Sequence, residues 1–155
     1  MKFRAINLYR KSHWLYKHNV PVIPKILTGV IYLFFNSYIP HTAEIGADSD
    51  FAYGGMGCVI HKNATIGERV VIGQNTTVGR SLHPDSFPTI GNDVYVSAGS
   101  RIIGKIKVGN NVIIGANSVV NKDVPDNMIV AGVPAKPIRK VEGSIWSLFE
   151  NIKFD

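Results

Sequence analysis

An aliphatic residue returns at every sixth position through most of this chain, and few folds accept that period. From Ile39 the step of six gives Ile45 and Phe51. After a longer step to Ile60 it resumes through Ile66, Ile72, Val78, Pro84, Ile90, Val96, Ile102, Val108, Ile114 and Val120. All but Phe51 and Pro84 are Ile or Val. A helix repeats at about 3.6 residues and an alternating strand at about 2, so neither produces this pattern. A six-residue repeat with a β-branched residue at one phase reads as an all-β solenoid, in which each hexad is a short strand plus a turn. Three hexads close one triangular coil, and inward residues stack on their counterparts three hexads later. This predicts one buried column of Ile60, Val78, Val96 and Ile114. The turn chemistry agrees. Asn63, Gly73-Gln74-Asn75, Gly91-Asn92-Asp93, Gly109-Asn110-Asn111 and Gly115-Ala116-Asn117 fall where corners are required. Gly, Asn and Asp tolerate the positive φ of such corners.

A chain of 155 residues with 45% hydrophobic residues is one domain's length and can pack a core. Its single cysteine, Cys58, excludes a disulfide framework and a multi-cysteine zinc site, and reads as a small buried hydrophobe. One cysteine fits a reducing cytoplasm. No signal peptide is visible, and the most apolar run, residues 26–35, is too short to span a bilayer. The net charge of +6 reads as moderate and spread out. A nucleic-acid reader would carry a basic stripe with aromatic stacking residues, and the repeat region has neither. An anionic small ligand or an acidic membrane surface accounts for the charge as well.

Residues 1–37 are not solenoid. Phe3, Ile6, Tyr9, Trp14 and Leu15 recur at helical spacing among Arg4, Arg10, Lys11 and Lys17, and Pro21 and Pro24 precede a second, more apolar helix from about Lys25 to Asn36. This predicts a short helical cap closing the open edge of the first coil, whose basic, aromatic surface can also rest on a membrane. The solenoid domain spans 38–141 with two irregularities. Between Phe51 and Ile60 a glycine-rich bulge, Tyr53-Gly54-Gly55-Met56-Gly57, leaves a corner. Between Arg80 and Pro88 the count stays in register, but two prolines make a poor strand, so the segment is expected to leave the wall as a loop. Residues 142–155 are expected to form a closing helix, over about Ser144 to Ile152.

His83 is the most informative polar residue. It lies in that loop beside Pro84 and Asp85, and histidine can act as a general base near neutral pH. His61 follows an inward Ile at a phase where Gly is usual, and reads as a corner residue.

The stretch Ile113-Ile114-Gly115-Ala116-Asn117-Ser118-Val119-Val120-Asn121-Lys122-Asp123-Val124-Pro125, followed by Ala131-Gly132-Val133-Pro134-Ala135-Lys136-Pro137-Ile138-Arg139, resembles the C-terminal signature of the hexapeptide-repeat acyltransferases. The resemblance covers about residues 39–140 and points to the serine O-acetyltransferase-like branch, which includes exopolysaccharide O-acetyltransferases. It implies a left-handed parallel β-helix, a homotrimer with acetyl-CoA in the cleft between neighbouring solenoids, and no metal. Leu82-His83-Pro84 resembles the Gly-His-Pro of galactoside acetyltransferases, whose His is the base. By the same resemblance Ala98 and Ala116 meet the pantetheine arm, and Asn121, Lys122 and Arg139 lie near the nucleotide end. Tyr53 and Asp85 are candidates for acceptor contacts.

Two departures shape the expected acceptor. Serine acetyltransferases carry an Asp-His pair where this chain has Tyr53-Gly54, and an Arg before the loop His where it has Leu82. The expectation is therefore an acetyl-CoA-dependent O-acetyltransferase acting on a sugar or polysaccharide precursor, in the cytoplasm or peripheral at the inner membrane. The alternative is serine O-acetyltransferase. More remote are a γ-type carbonic anhydrase, for which His41, His61 and His83 fall at different phases of the repeat, and a purely structural solenoid.

Overall fold

The computed structural model describes residues 4–149. From Glu44 to Val120 the chain winds as short strands between corners, and each strand pairs in parallel with the strand three places on. The first wall stacks β1 (Glu44–Ile45), β4 (Thr65–Ile66), β7 (Thr89–Ile90) and β10 (Lys107–Val108). The second stacks β2 (Asp50–Phe51), β5 (Val71–Ile72), β8 (Val94–Val96), β11 (Val112–Ile114) and β13 (Met128–Gly132). The third stacks β3 (Val59–Ile60), β6 (Thr77–Gly79), β9 (Arg101–Ile103) and β12 (Val119–Val120). Inward residues form the core: Ile45, Ile66, Ile90 and Val108 on the first wall, Phe51, Ile72, Val96, Ile114 and Val130 on the second, Ile60, Val78, Ile102 and Val120 on the third, all buried. Burying each such side chain contributes about 1.5–3 kcal/mol.

The expected column of Ile60, Val78, Val96 and Ile114 does not form. Ile60 and Val78 are followed by Ile102 and Val120, whereas Val96 and Ile114 continue the second wall above Ile72. The cause is the 80–88 segment. Ile66 pairs with Ile90 and Ile72 with Val96, each one hexad farther along the sequence than Ile90 with Val108. A whole hexad has been extruded as a loop. Because the insertion is six residues long, it leaves the sequence period intact while moving every later strand on by one wall.

The shorter irregularity is a 3₁₀ turn, Ala52–Gly54, with Tyr53 in the left-handed region at φ 52°. It ends on Gly57, also at positive φ, where a Cβ would overlap Asn75 Oδ1 of the next coil. Cys58, directly after it, is fully buried, and burial pushes its thiol pKa up. The Gly57 N–H donates to Phe35 O at 3.2 Å, tying this corner to the cap.

The cap is two helices, α1 (Ala5–Lys17) and α2 (Ile23–Phe35). Pro24 sits in the first turn of α2, where no intrahelical N–H is needed. Ala5, Ile6, Tyr9 and Ile31 join the core. Tyr9 donates its hydroxyl to Ala43 O at 2.6 Å, Arg10 donates to the carbonyls of Ile45 and Gly46, and Arg4 pairs with Asp50. Phe3 lies outside the described residues.

Beyond Val120 the chain turns at Val133-Pro134 and comes back as β14 (Ala135–Lys140), antiparallel to β13. The expected closing helix is replaced, over the described residues, by a single 3₁₀ turn, Ile145–Leu148; Ile152 lies outside them. Distant partners fix this turn. Ile145 is fully buried and its N–H donates to Asn111 Oδ1 at 2.8 Å, while Trp146 Nε1 donates to Asp93 Oδ1 at 2.9 Å. Asp93 also accepts both arms of the Arg69 guanidinium at 2.8 Å, which, with Trp146, holds its carboxyl below the usual range.

Candidate functional site

The corner that leads from the third wall to the first carries most of the titratable side chains singled out in the sequence. It holds His41 after Ile39, His61 after Ile60, the extruded loop after Val78, and Asn121-Lys122 after Val120. The three histidines that fall at different phases of the repeat thus line one edge of the solenoid. A bulge and an extruded hexad separate them in sequence count but not in place.

His61 is packed against the loop itself. Its ring stacks on Phe87 with centroids 4.9 Å apart and planes 18° apart, so the far end of the loop folds back over it. The Asn63 N–H donates to its Nδ1 at 3.2 Å, which leaves Nε2 to carry the proton of the neutral ring. Burial, then the charges of Arg80 and Lys62, hold its pKa below the ordinary histidine value. The shift favours the neutral ring, which then donates through Nε2. His61 lines a groove of about 300 Å³ with Tyr38, Lys62 and Gly79.

His83 stands in the loop proper and is exposed, as are Leu82 and Asp85. The Asp85 N–H lies 3.4 Å from His83 Nδ1, a long contact that commits neither nitrogen. The loop's neck is pinned by the Ser81 and Ser86 hydroxyls, 2.9 Å apart, and by the buried Pro88. Its root is Arg80, close enough to His61 to affect that ring's titration. The sequence reading passed over Arg80 and Phe87, because their importance comes from how the extruded hexad folds back on the previous coil.

His41 has a different proton arrangement. The Thr28 hydroxyl donates to Pro24 O at 3.1 Å, so its oxygen must accept from His41 Nδ1 at 3.2 Å. His41 then keeps a lone pair on Nε2, and burial, Lys25 and His13 lower its pKa. It borders a groove of about 550 Å³ between α2 and the first coil, lined also by Tyr32, Tyr38 and Pro40.

The remaining expected site residues lie elsewhere. Tyr53, Ala98 and Ala116 occupy the corner on the opposite side of the third wall, with Tyr53 78% exposed. Arg139 lies on β14 and, with Lys140, Val141, Glu142 and Leu148, borders a basin of about 560 Å³. Within one chain the fold gathers His61, His83, Asp85, Asn121 and Lys122 along one edge and sets Tyr53, Ala98 and Ala116 along the other.

Residues 87–122 match the family model described as bacterial transferase hexapeptide (six repeats). The chain is 38% identical over 138 residues to a serine acetyltransferase of Synechococcus elongatus, an alignment covering 88% of this chain and 56% of that protein. Its fold superposes with a TM-score of 0.84 on a serine acetyltransferase in complex with cysteine, at 32% identity, covering 97% of this chain and 59% of that one. A Brucella abortus serine acetyltransferase in complex with coenzyme A gives a TM-score of 0.84 at 33% identity, covering 90% and 56%. The chain thus spans a little over half the length of these proteins. The expected sugar acceptor is overturned here, since these relatives are named serine acetyltransferases. Leu82 argued against serine only on the assumption that the carboxylate's cation must sit next to the loop histidine. Family likeness and strand order agree on the parallel β-helix, left-handed as in this family. The chain belongs to the hexapeptide-repeat transferases, on their serine O-acetyltransferase-like branch.

Proposed function

We propose that the protein transfers the acetyl group of acetyl-CoA to the hydroxyl of L-serine. The observation that carries this reading is the likeness to serine acetyltransferases along nearly the whole chain. His83 takes the proton from the serine hydroxyl as the oxygen attacks the thioester carbonyl. The carbon–sulfur bond then breaks, and the proton leaves with the coenzyme A thiol. His61, whose neutral ring donates through Nε2, is suited to hold an oxygen rather than to remove a proton. Arg80 supplies the cation that Leu82 lacks and can pair with the serine carboxylate. Asp85 can accept from the serine ammonium, and Tyr53 offers a hydroxyl from the opposite edge.

The two edges of the third wall meet only if a neighbouring copy supplies one of them, which supports a homotrimer with the cleft between subunits. Ala98 and Ala116 would then flank the pantetheine arm, and Asn121, Lys122 and Arg139 the nucleotide end of acetyl-CoA. The test is thiol release from acetyl-CoA with L-serine. Arg80→Ala should raise the serine KM at least tenfold and leave the acetyl-CoA KM alone, and His83→Ala should lower kcat by about 10²–10⁴. Absence of serine turnover in the wild-type trimer would sink the proposal.

A further inference from the structure

Helix α2 is apolar on two faces, and only one is used. Pro24, Thr28 and Ile31 turn inward and are buried. On the opposite side Ile23, Ile26, Val30 and Leu33 follow one another at three- and four-residue steps, with Leu33 78% exposed, Ile26 57% and Ile23 47%. Val22, 64% exposed, extends the face at its start, and Tyr32, 59% exposed, flanks it. Lys25 is the only charged side chain in this helix, and Thr28 and Tyr32 add only hydroxyls. A surface helix normally turns charged residues to solvent on the side away from the core. This one does not.

The charge of the chain says what covers that face. Summed by region, the net +6 is not spread out. Residues 1–43 carry Lys2, Arg4, Arg10, Lys11, Lys17 and Lys25 and no Asp or Glu, while the cations and anions of the rest cancel. Arg4 and Lys17 are paired with Asp50 and Glu44, and Arg10 is spent on two carbonyls. Lys11 and Lys25 have no ion pair among the described residues. Lys11 lies beside Trp14, which is 58% exposed and stacks on His18 at 4.0 Å. An apolar face on one cap helix, with unpaired lysines and exposed indole and phenol rings on the two helices of the cap, matches the interface between lipid headgroups and acyl chains. A second copy of the same cap fits less well, because it would press two clusters of like charge together.

We propose that the exposed face of α2, with Lys25 on the same helix and Lys11 on the neighbouring α1, docks on an anionic lipid surface. Co-sedimentation of the full chain with equimolar phosphatidylcholine–phosphatidylglycerol vesicles tests this, with pure phosphatidylcholine vesicles as the second arm. The protein should partition at least tenfold more strongly to the anionic vesicles, and about 1 M salt should remove most of that preference. Ile26→Asp with Leu33→Asp should abolish partition while leaving the melting temperature and far-UV spectrum unchanged, since both side chains are exposed. Lys11→Glu and Lys25→Glu should each weaken it about fivefold or more. No partition to anionic vesicles, equal partition to both lipids, or full partition by the double aspartate variant overturns the proposal. So does a sedimentation coefficient that falls in that variant without any vesicle binding by the wild type, which would make a second copy the occupant.

Discussion

Deleting residues 81–86 removes one hexad, and the geometry says the solenoid should close without it. Val78 and Ile90 bound the corner that carries the loop, while Ile102 and Val108 bound the same corner one coil later with half the sequence separation. Taking out six residues gives the first corner the length of the second, and no inward residue moves off its wall. Halving a loop saves about 0.6 kcal/mol of closure entropy. The hydrogen bond between the Ser81 and Ser86 hydroxyls is lost, at about 1 kcal/mol. The terms nearly cancel, so stability should change by less than about 1 kcal/mol, or about 2–4 °C in melting temperature for a chain of this size. Arg80 and Phe87 remain, but His83 and Asp85 are gone. Turnover should therefore fall by about 10²–10⁴, the usual share of a general base. Thermal unfolding by circular dichroism, paired with thiol release from acetyl-CoA, reads both quantities on one preparation. A variant that fails to fold would show that the loop is part of the wall. One that folds and keeps full turnover would take the base away from the loop.

Three further outcomes are expected. The pKa values of His41 and His61 are depressed by burial and nearby cations, so the folded state binds fewer protons than the unfolded chain as pH drops through the ordinary histidine range. Stability should be full above about pH 6.5 and decline on acidification toward the lowered values, and His41→Asn, which keeps a donor for Thr28, should flatten the decline; a melting temperature that rises on acidification contradicts it. Ile102→Ala, fully buried in the middle of the third wall, should cost about 2–5 kcal/mol in denaturant unfolding, and a loss under about 1 kcal/mol would mean the stack can collapse around it. Lys122→Ala and Arg139→Ala should each weaken coenzyme A by about 1–2 kcal/mol more than dephospho-coenzyme A in a calorimetric titration, and equal losses would remove both from the 3′-phosphate.

The hexad period was enough to identify the solenoid, because an inward Ile or Val is needed on every wall and nothing else in the sequence imposes that spacing. It could not show which wall a given hexad occupies. Val96 reads the same whether the hexad within 80–88 stays in the wall or leaves it, and the strand pairings, Ile66 with Ile90 and Ile72 with Val96, tell the two apart. The gathering of His41, His61 and His83 on one edge was hidden for the same reason. The closing segment misled differently: its apolar spacing suits a helix, but Asn111 and Asp93, far back in the chain, hold it as a single turn. The preference for a sugar rests on Tyr53-Gly54 and Leu82, and leaves out the cation two residues before Leu82, Arg80.

The antiparallel β14 has a consequence for how far such an assembly can extend. The last coil of a parallel β-helix offers an open row of N–H and C=O groups, on which the first coil of another molecule could stack and begin a fibre. Here β13 is already paired on that side by a strand of opposite direction. The outward edge of β14 presents Pro137, which has no N–H to give, among Lys136, Arg139 and Lys140. A further coil finds no strand edge of its own direction on this wall, so the hairpin removes one of the three walls on which head-to-tail stacking could begin.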